Sequence, residues 1–392
     1  MLTTQLVEKN VGLVLTGTII ISIAVMGFQC ASAEMTTGNM ARDRSDWVNA
    51  EKSYEKEVTK NPQNAEAWYW LGVSRLQLKN YKGMNEAFTR SLAVRNQFEQ
   101  DIKSIRFAAW GQLFNSGADA LVRGKKAQGD SVTILLNRSV DYFNTAVILN
   151  PDSASTYTNL GLTHLALNNL EVAIRNFETS LQKEKDPDLA ASIANMYLER
   201  GRKFQKEAQN ESGARKDSLQ GLSKNGFNKA IVTLEQARQW ASENQSIVGL
   251  LLDAYIAAGR TDEAMNNFKL AVDKSPNNKL YRYNYGVLLL KAGDHQAAVE
   301  QFEAAVVVDP RFEDALYNLG VGYLQWGAKR RSEAEATAKG SKDKQMSKSY
   351  EQQFKKGKDN LERLRDLKPN DPDVWEALGQ AYGNLNMQKQ AA

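Results

Sequence analysis

Apolar residues four positions apart recur along most of this chain: Leu251 with Tyr255, Ala264 with Phe268, Tyr285 with Leu289, Ala298 with Phe302. Four-residue spacing puts both members of a pair on one side of an α-helix, so each pair predicts an amphipathic helix whose stripe must be covered. The stripes are themselves periodic. Leu251, Tyr255, Ala264, Phe268, Ala271 and Pro276 return 34 residues later as Tyr285, Leu289, Ala298, Phe302, Ala305 and Pro310. A fixed period of this length predicts paired helices stacked in a row. Small Ala264 and Ala298 let the two helices of a pair approach, Phe268 and Phe302 fill the space between them, and each proline stops the second helix. A single pair cannot bury its own stripe, so neighbouring units close the core and terminal units are expected to be irregular.

The same template recurs from residue 45 to residue 392. Trp68, Leu71, Gly72 and Phe88 mark a unit near 65–98, and Leu160, Gly161, Ala173 and Phe177 one near 154–187. Leu319, Gly320 and Tyr323 begin a later unit, and Trp375, Leu378, Gly379 and Tyr382 begin the last, whose second helix is cut short. That partial unit is expected to leave Val374, Leu378 and Tyr382 uncovered. Ala50, Tyr54 and Pro62 read as a lone second helix. The predicted units are a half unit at 45–62, then 65–98, 99–153, 154–187, 188–244, 245–278, 279–312, 313–371, and a partial unit at 372–392.

The Trp, Leu, Gly, Tyr, Ala, Phe, Ala, Pro pattern resembles the tetratricopeptide repeat. The resemblance implies an all-α fold, an α-α solenoid winding as a right-handed superhelix, that holds proteins or peptides without catalysis. It also implies a concave groove lined by the first helix of each unit, with Tyr69, Val73, Leu76, Leu162, Leu165, Tyr283, Val287, Leu290, Tyr317, Val321 and Leu324 exposed in it. Such an apolar, aromatic groove suits an extended peptide or a partner helix. Packing against neighbouring repeats is the competing role for some of these side chains. The Lys and Asn clamp by which some relatives grip a terminal carboxylate is absent from these positions, so that activity is not carried over.

Three units are stretched, their second-helix markers arriving about 21 to 25 residues late on the 34-residue ruler. The extra sequence near 119–138, 203–225 and 328–352 lacks proline, which lets both helices of each pair lengthen before turning. Gly129, Gly213 and Gly340 are the expected turns. The third insertion carries Lys339, Lys342, Lys344 and Lys348, a basic patch that reads first as a solvated surface and second as a contact for an anionic polymer or partner.

The start of the chain reads differently. Val11 to Phe28 has no charged residue, as in a signal segment or a short membrane anchor, so residues 1–33 are assigned to export and 34–44 to a polar linker acting as a leash. Cys30, followed by small residues, resembles the acylated cysteine of exported bacterial lipoproteins, which implies a lipid anchor on the periplasmic side of the envelope. Cleavage after Ala33 and an uncleaved N-terminal helix are the alternatives.

Composition narrows the chemistry. Fifty basic against 46 acidic residues leave a net charge of +4, which gives no electrostatic reason to expect nucleic acid. One cysteine and two histidines make a metal site improbable and predict no cofactor. Neither His164, at a position usually filled by the repeat's tyrosine, nor His295, beside the expected helix cap Asp294, has a catalytic partner in sequence. The sequons at Asn137, Asn210 and Asn244 are read as chance. The expectation is a non-enzymatic envelope scaffold, monomeric and membrane-tethered. The rival is an accessory subunit of an envelope transport or enzyme complex, or a glycan or peptidoglycan binder using the basic hairpins.

Overall fold

The computed structural model describes residues 32–338 and 350–387, with the side chains of 337 and 338 left aside. The helices among them are α1 (Ala33–Asp43), α2 (Trp47–Lys60), α3 (Ala65–Gln77), α4 (Tyr81–Val94), α5 (Glu99–Lys126), α6 (Asp130–Leu149), α7 (Ala154–Ala166), α8 (Leu170–Lys183) and α9 (Pro187–Gln209). They continue as α10 (Gly213–Arg238), α11 (Gln245–Ala257), α12 (Thr261–Lys274), α13 (Lys279–Lys291), α14 (His295–Val308), α15 (Glu313–Ala338), α16 (Glu351–Leu367) and α17 (Pro372–Asn384). No strand occurs among the described residues. The chain is an all-α repeat solenoid in which odd-numbered helices are the first, and even-numbered the second, of successive hairpins. It divides into two compact units, Met1–Ala109 and Trp110–Ala392, the division falling within α5.

The first unit corrects two expectations. Residues 34–44 are not a leash, and the array does not open with a half repeat: α1 pairs with α2 to complete a hairpin. Met35, Gly38 and Ala41 are buried, and a Cβ placed on Gly38 would lie 2.7 Å from the Tyr54 ring. Gly38 stands 16 residues before Tyr54, the interval that separates Gly72 from Phe88, Gly161 from Phe177 and Gly286 from Phe302. Tyr54 Oη donates to Asn39 at 2.8 Å, and Lys60 pairs with Glu34.

Ser32 closes the start of α1 twice over. Its Oγ accepts from the Met35 backbone N–H at 3.0 Å and donates to the carboxylate of Glu57, which is only 2% exposed and also accepts from Asn64 Nδ2 at 2.9 Å. Losing Ser32 removes a helix cap and one partner of a buried charge together. Ser32→Ala is therefore expected to lower stability by about 1–2 kcal/mol. Urea unfolding followed by circular dichroism measures it; an unchanged midpoint means that the cap contributes nothing.

In the second unit the three stretched hairpins extend as expected. α5 and α6 turn at Gly129 (φ 58°), and α9 and α10 at Gly213 (φ 57°), left-handed conformations that favour glycine. Gly340 and the four lysines of the third turn lie outside the described residues. Within hairpins glycine sits under an aromatic ring: Gly117 under Phe143, Gly161 under Phe177, Gly201 under Phe227, Gly286 under Phe302 and Gly327 under Phe354.

Between hairpins a second device recurs, a tyrosine on the first helix of one unit donating to a glutamate on the second helix of the unit before. Tyr197 reaches Glu178 at 2.7 Å, Tyr255 reaches Glu235 at 3.0 Å, Tyr382 reaches Glu362 at 2.9 Å, and Tyr323 reaches Glu303. Lys356 Nζ approaches the Tyr323 hydroxyl at 2.9 Å and Glu303 at 3.5 Å. The ladder extends to α17. Val374, Leu378 and Tyr382, expected to lie uncovered, are instead buried in the core that α16 continues, and it is Trp375, at the edge of that stripe, that stays 48% exposed.

Candidate functional site

The first helices of consecutive units touch one another: α11 meets α13, α13 meets α15, and α15 meets α17. Their shared face is continuous within the second unit. Asn318 Nδ2 on α15 donates to the Tyr283 hydroxyl on α13 at 2.9 Å. Gln245 Nε2 on α11 reaches Asp314 on α15 at 3.4 Å, a contact between helices two units apart that places both on the inner side of the local curve.

The sequence reading names eleven exposed groove residues on the first helices of the two units, and none is fully exposed. In the second unit Leu162, Leu165, Tyr283, Val287, Leu290, Tyr317 and Val321 are half-buried, each with one side packed on the core. Leu324 is buried, at 6% exposure, because it closes over Gly357 of α16, and it does not line an accessible groove. In the first unit Val73 and Leu76 are half-buried, and Tyr69 is stacked on Phe98 at 4.2 Å between ring centroids. Tyr283 leans on Phe312 and Phe302, with centroids 5.1 and 5.9 Å away, so its orientation is held by the core.

Carboxylates that the sequence reading did not single out flank these rings. Burial, and then Asp314 and Asp253, push the Tyr283 hydroxyl up to about 12, against a lowering by the Asn318 hydrogen bond. Burial, followed by Asp373, Glu376 and Asp371, also raises Tyr317. Burial raises Tyr54, Tyr69 and Tyr255 to about 12 as well. A tyrosine with a raised folded pKa keeps its proton where the unfolded chain has lost it. Stability is therefore complete below pH 10.0 and falls as pH climbs towards about 12. Tyrosinate absorbance and helical circular dichroism are expected to change together over that window; tyrosines that ionise near 10.0 with the helices intact contradict this burial.

The two histidines offer no reactive pair. Burial lowers both, aided by Arg175 for His164 and by Lys329 for His295, and the Nδ1 of each is buried without a hydrogen-bond partner. Asp294 caps α14 as expected, accepting from the Ala297 N–H at 3.1 Å. Among the described residues no group of three His, Cys, Asp or Glu side chains could hold a metal ion, and no helix is long and apolar enough to cross a membrane. A separate cavity of about 530 Å³ lies between α9, α10 and the end of α11, lined among others by Gln205, Lys216, Lys224 and Phe227. Cys30 lies outside the described residues.

One family model of the tetratricopeptide repeat matches residues 35–83, 250–315 and 286–340, and another matches 154–182. The chain carries tetratricopeptide repeats. The first of these matches runs from α1 through α3 to the start of α4, in agreement with a complete opening hairpin. This tetratricopeptide-repeat chain is 25% identical over 233 residues to Tetratricopeptide repeat protein 13 of Homo sapiens, covering 59% of itself and 22% of that protein. It is 35% identical over 80 residues to Photosystem I assembly protein Ycf3 of Rippkaea orientalis, covering 20% of itself and 46% of that protein. The chain thus spans less than half the length of either curated relative.

Among solved structures, a TPR repeats protein from Bacteroides fragilis aligns at a TM-score of 0.35 and 20% identity, over 70% of this chain and 98% of that one. YrrB, described as a TPR protein with an unusual peptide-binding site, aligns at 0.33 and 20% identity, over 61% and 98%. Tetratricopeptide-repeat folds are generally protein–protein interaction scaffolds, typically without catalytic activity.

Proposed function

We propose that this chain is a scaffold of the cell envelope that binds partner proteins or peptides along the inner face of α11, α13, α15 and α17. The observation that carries this reading is the set of half-buried apolar and aromatic side chains on α13 and α15, Tyr283, Val287, Leu290, Tyr317 and Val321, each anchored on one side and open on the other. Rings held in place by the core present contact area with little loss of side-chain freedom on binding. The Rippkaea orientalis relative is named as an assembly protein, which agrees with a scaffold rather than a catalyst.

Export and tethering belong to the same proposal, supported by the uncharged run from Val11 to Phe28 and by Cys30. Cleavage after Ala33 removes Ser32, the cap of α1 and a partner of Glu57, whereas processing at Cys30 retains it. That contrast favours the lipid anchor, which raises the effective concentration of whatever the groove holds near the membrane.

The test is chemical crosslinking in intact envelopes with the wild-type chain and with Tyr283→Ala/Tyr317→Ala, partners being identified by mass spectrometry and helix content checked alongside. Partners lost from a folded double variant are the expected result. Partners retained by it rule out this face. Mass spectrometry of the mature amino terminus is expected to find an acylated Cys30; a start at Glu34 overturns the tether.

A further inference from the structure

Carboxylates and tyrosines alternate along the inner face of the second unit. Asp253 of α11 and Asp314 of α15 lie on either side of Tyr283 of α13, and Asp373 and Glu376 of α17 lie beyond Tyr317 of α15. Asp253, Asp314, Asp373 and Glu376 are exposed, and none is in an ion pair among the described residues. The neighbouring acids are committed elsewhere: Asp309 to Lys279, Glu313 to Lys368, and Asp371 to Lys368 and to the cap of α17. Arg282 is also committed, to the Pro276 carbonyl and Gln301. On α11, α13, α15 and α17 and the turns leading into them, the exposed cations among the described residues are Lys291, at the far end of α13, Arg311, in the turn before α15, and Lys329, far along α15. The row of anchored rings is thus edged by four carboxylates outside any ion pair among the described residues, Asp314 lying near Lys368, which is already paired with Glu313 and Asp371.

From this alternation, and resting on the scaffold reading above, we propose that the groove selects an extended peptide rich in Lys or Arg, whose cations alternate with small or apolar side chains. Four adjacent helices at about 9 Å spacing span about 27 Å, which an extended strand crosses in about eight residues. Successive side chains of a strand point to opposite sides, so alternate cations reach the carboxylates while the aliphatic stems of Lys or Arg lie on the rings. The same rings attract a cation placed over their faces. An acidic peptide meets four like charges, with the nearby Lys368 already shared by Glu313 and Asp371, which disfavours it on the same path.

A library of random peptides of about nine residues, displayed and selected on the full chain at low and at high salt, tests the proposal. Three proteins are compared: wild type, a charge variant carrying Asp253→Asn, Asp314→Asn, Asp373→Asn and Glu376→Gln, and Tyr283→Ala/Tyr317→Ala. Enrichment of Lys and Arg by wild type is expected, weakening with salt, with about thirtyfold weaker binding of the best peptide to the charge variant. Enrichment of neutral peptides that the charge variant keeps and the tyrosine variant loses overturns the basic preference and leaves the groove standing. No enrichment on any of the three overturns both.

Discussion

Gly226→Ala is expected to lower stability by about 3 kcal/mol, near the upper end for overpacking a tight helix contact. A Cβ on Gly226 would lie 2.9 Å from the Tyr197 carbonyl oxygen and 3.0 Å from both Cα and N of Gly201. All three are backbone atoms, so no rotamer change relieves the clash and α9 and α10 must separate. Separation lifts Phe227 from Gly201 and shifts Tyr197, whose hydroxyl ties this hairpin to Glu178 of the hairpin before. Gly221 on the same helix is the control, because a Cβ there meets nothing within 4 Å. Gly221→Ala is expected to raise stability by about 0.5–1 kcal/mol through its better helix propensity. Urea unfolding of the two variants reads opposite signs from one helix; equal losses contradict the packing reason.

Phe302→Ala is expected to cost about 4 kcal/mol, in the range for emptying an aromatic site in a core. The ring is fully buried over Gly286 of α13, lies 5.9 Å from Tyr283, and approaches Gly322 of α15. It therefore touches both helices of its own hairpin and the first helix of the next. Coupling between units runs through neighbours, so hydrogen exchange is expected to accelerate first in α13 to α16. Peptide binding is expected to weaken as well, because Tyr283 loses part of its support. Uniform acceleration along the whole second unit contradicts this nearest-neighbour coupling.

Much of the fold was legible because its causes are local. Period and spacing placed the helices of residues 245–312, Pro276 and Pro310 ended them, and proline-free insertions with Gly129 and Gly213 marked two hairpins that the structure shows lengthened. α1 was missed because its inward stripe consists of Met35, Gly38 and Ala41, which read as a polar segment until Tyr54 is seen lying on Gly38. The 16-residue interval from Gly38 to Tyr54 was the available signal.

The candidate site divides the same way. Helix period put Tyr283 with Val287 on one side of α13 and Tyr317 with Val321 on one side of α15, and the resemblance to the tetratricopeptide repeat implied that these sides line a groove. Burial of Leu324 over Gly357, and of Val374, Leu378 and Tyr382 in the continued core, depended on how far neighbouring helices close over them. The alternation of Asp253, Tyr283, Asp314, Tyr317, Asp373 and Glu376 joins residues from four separate helices. Sequence determined which side of its own helix each occupies; only the stacking of one hairpin on the next, set by the approach of whole packed surfaces, decided that they stand in one row.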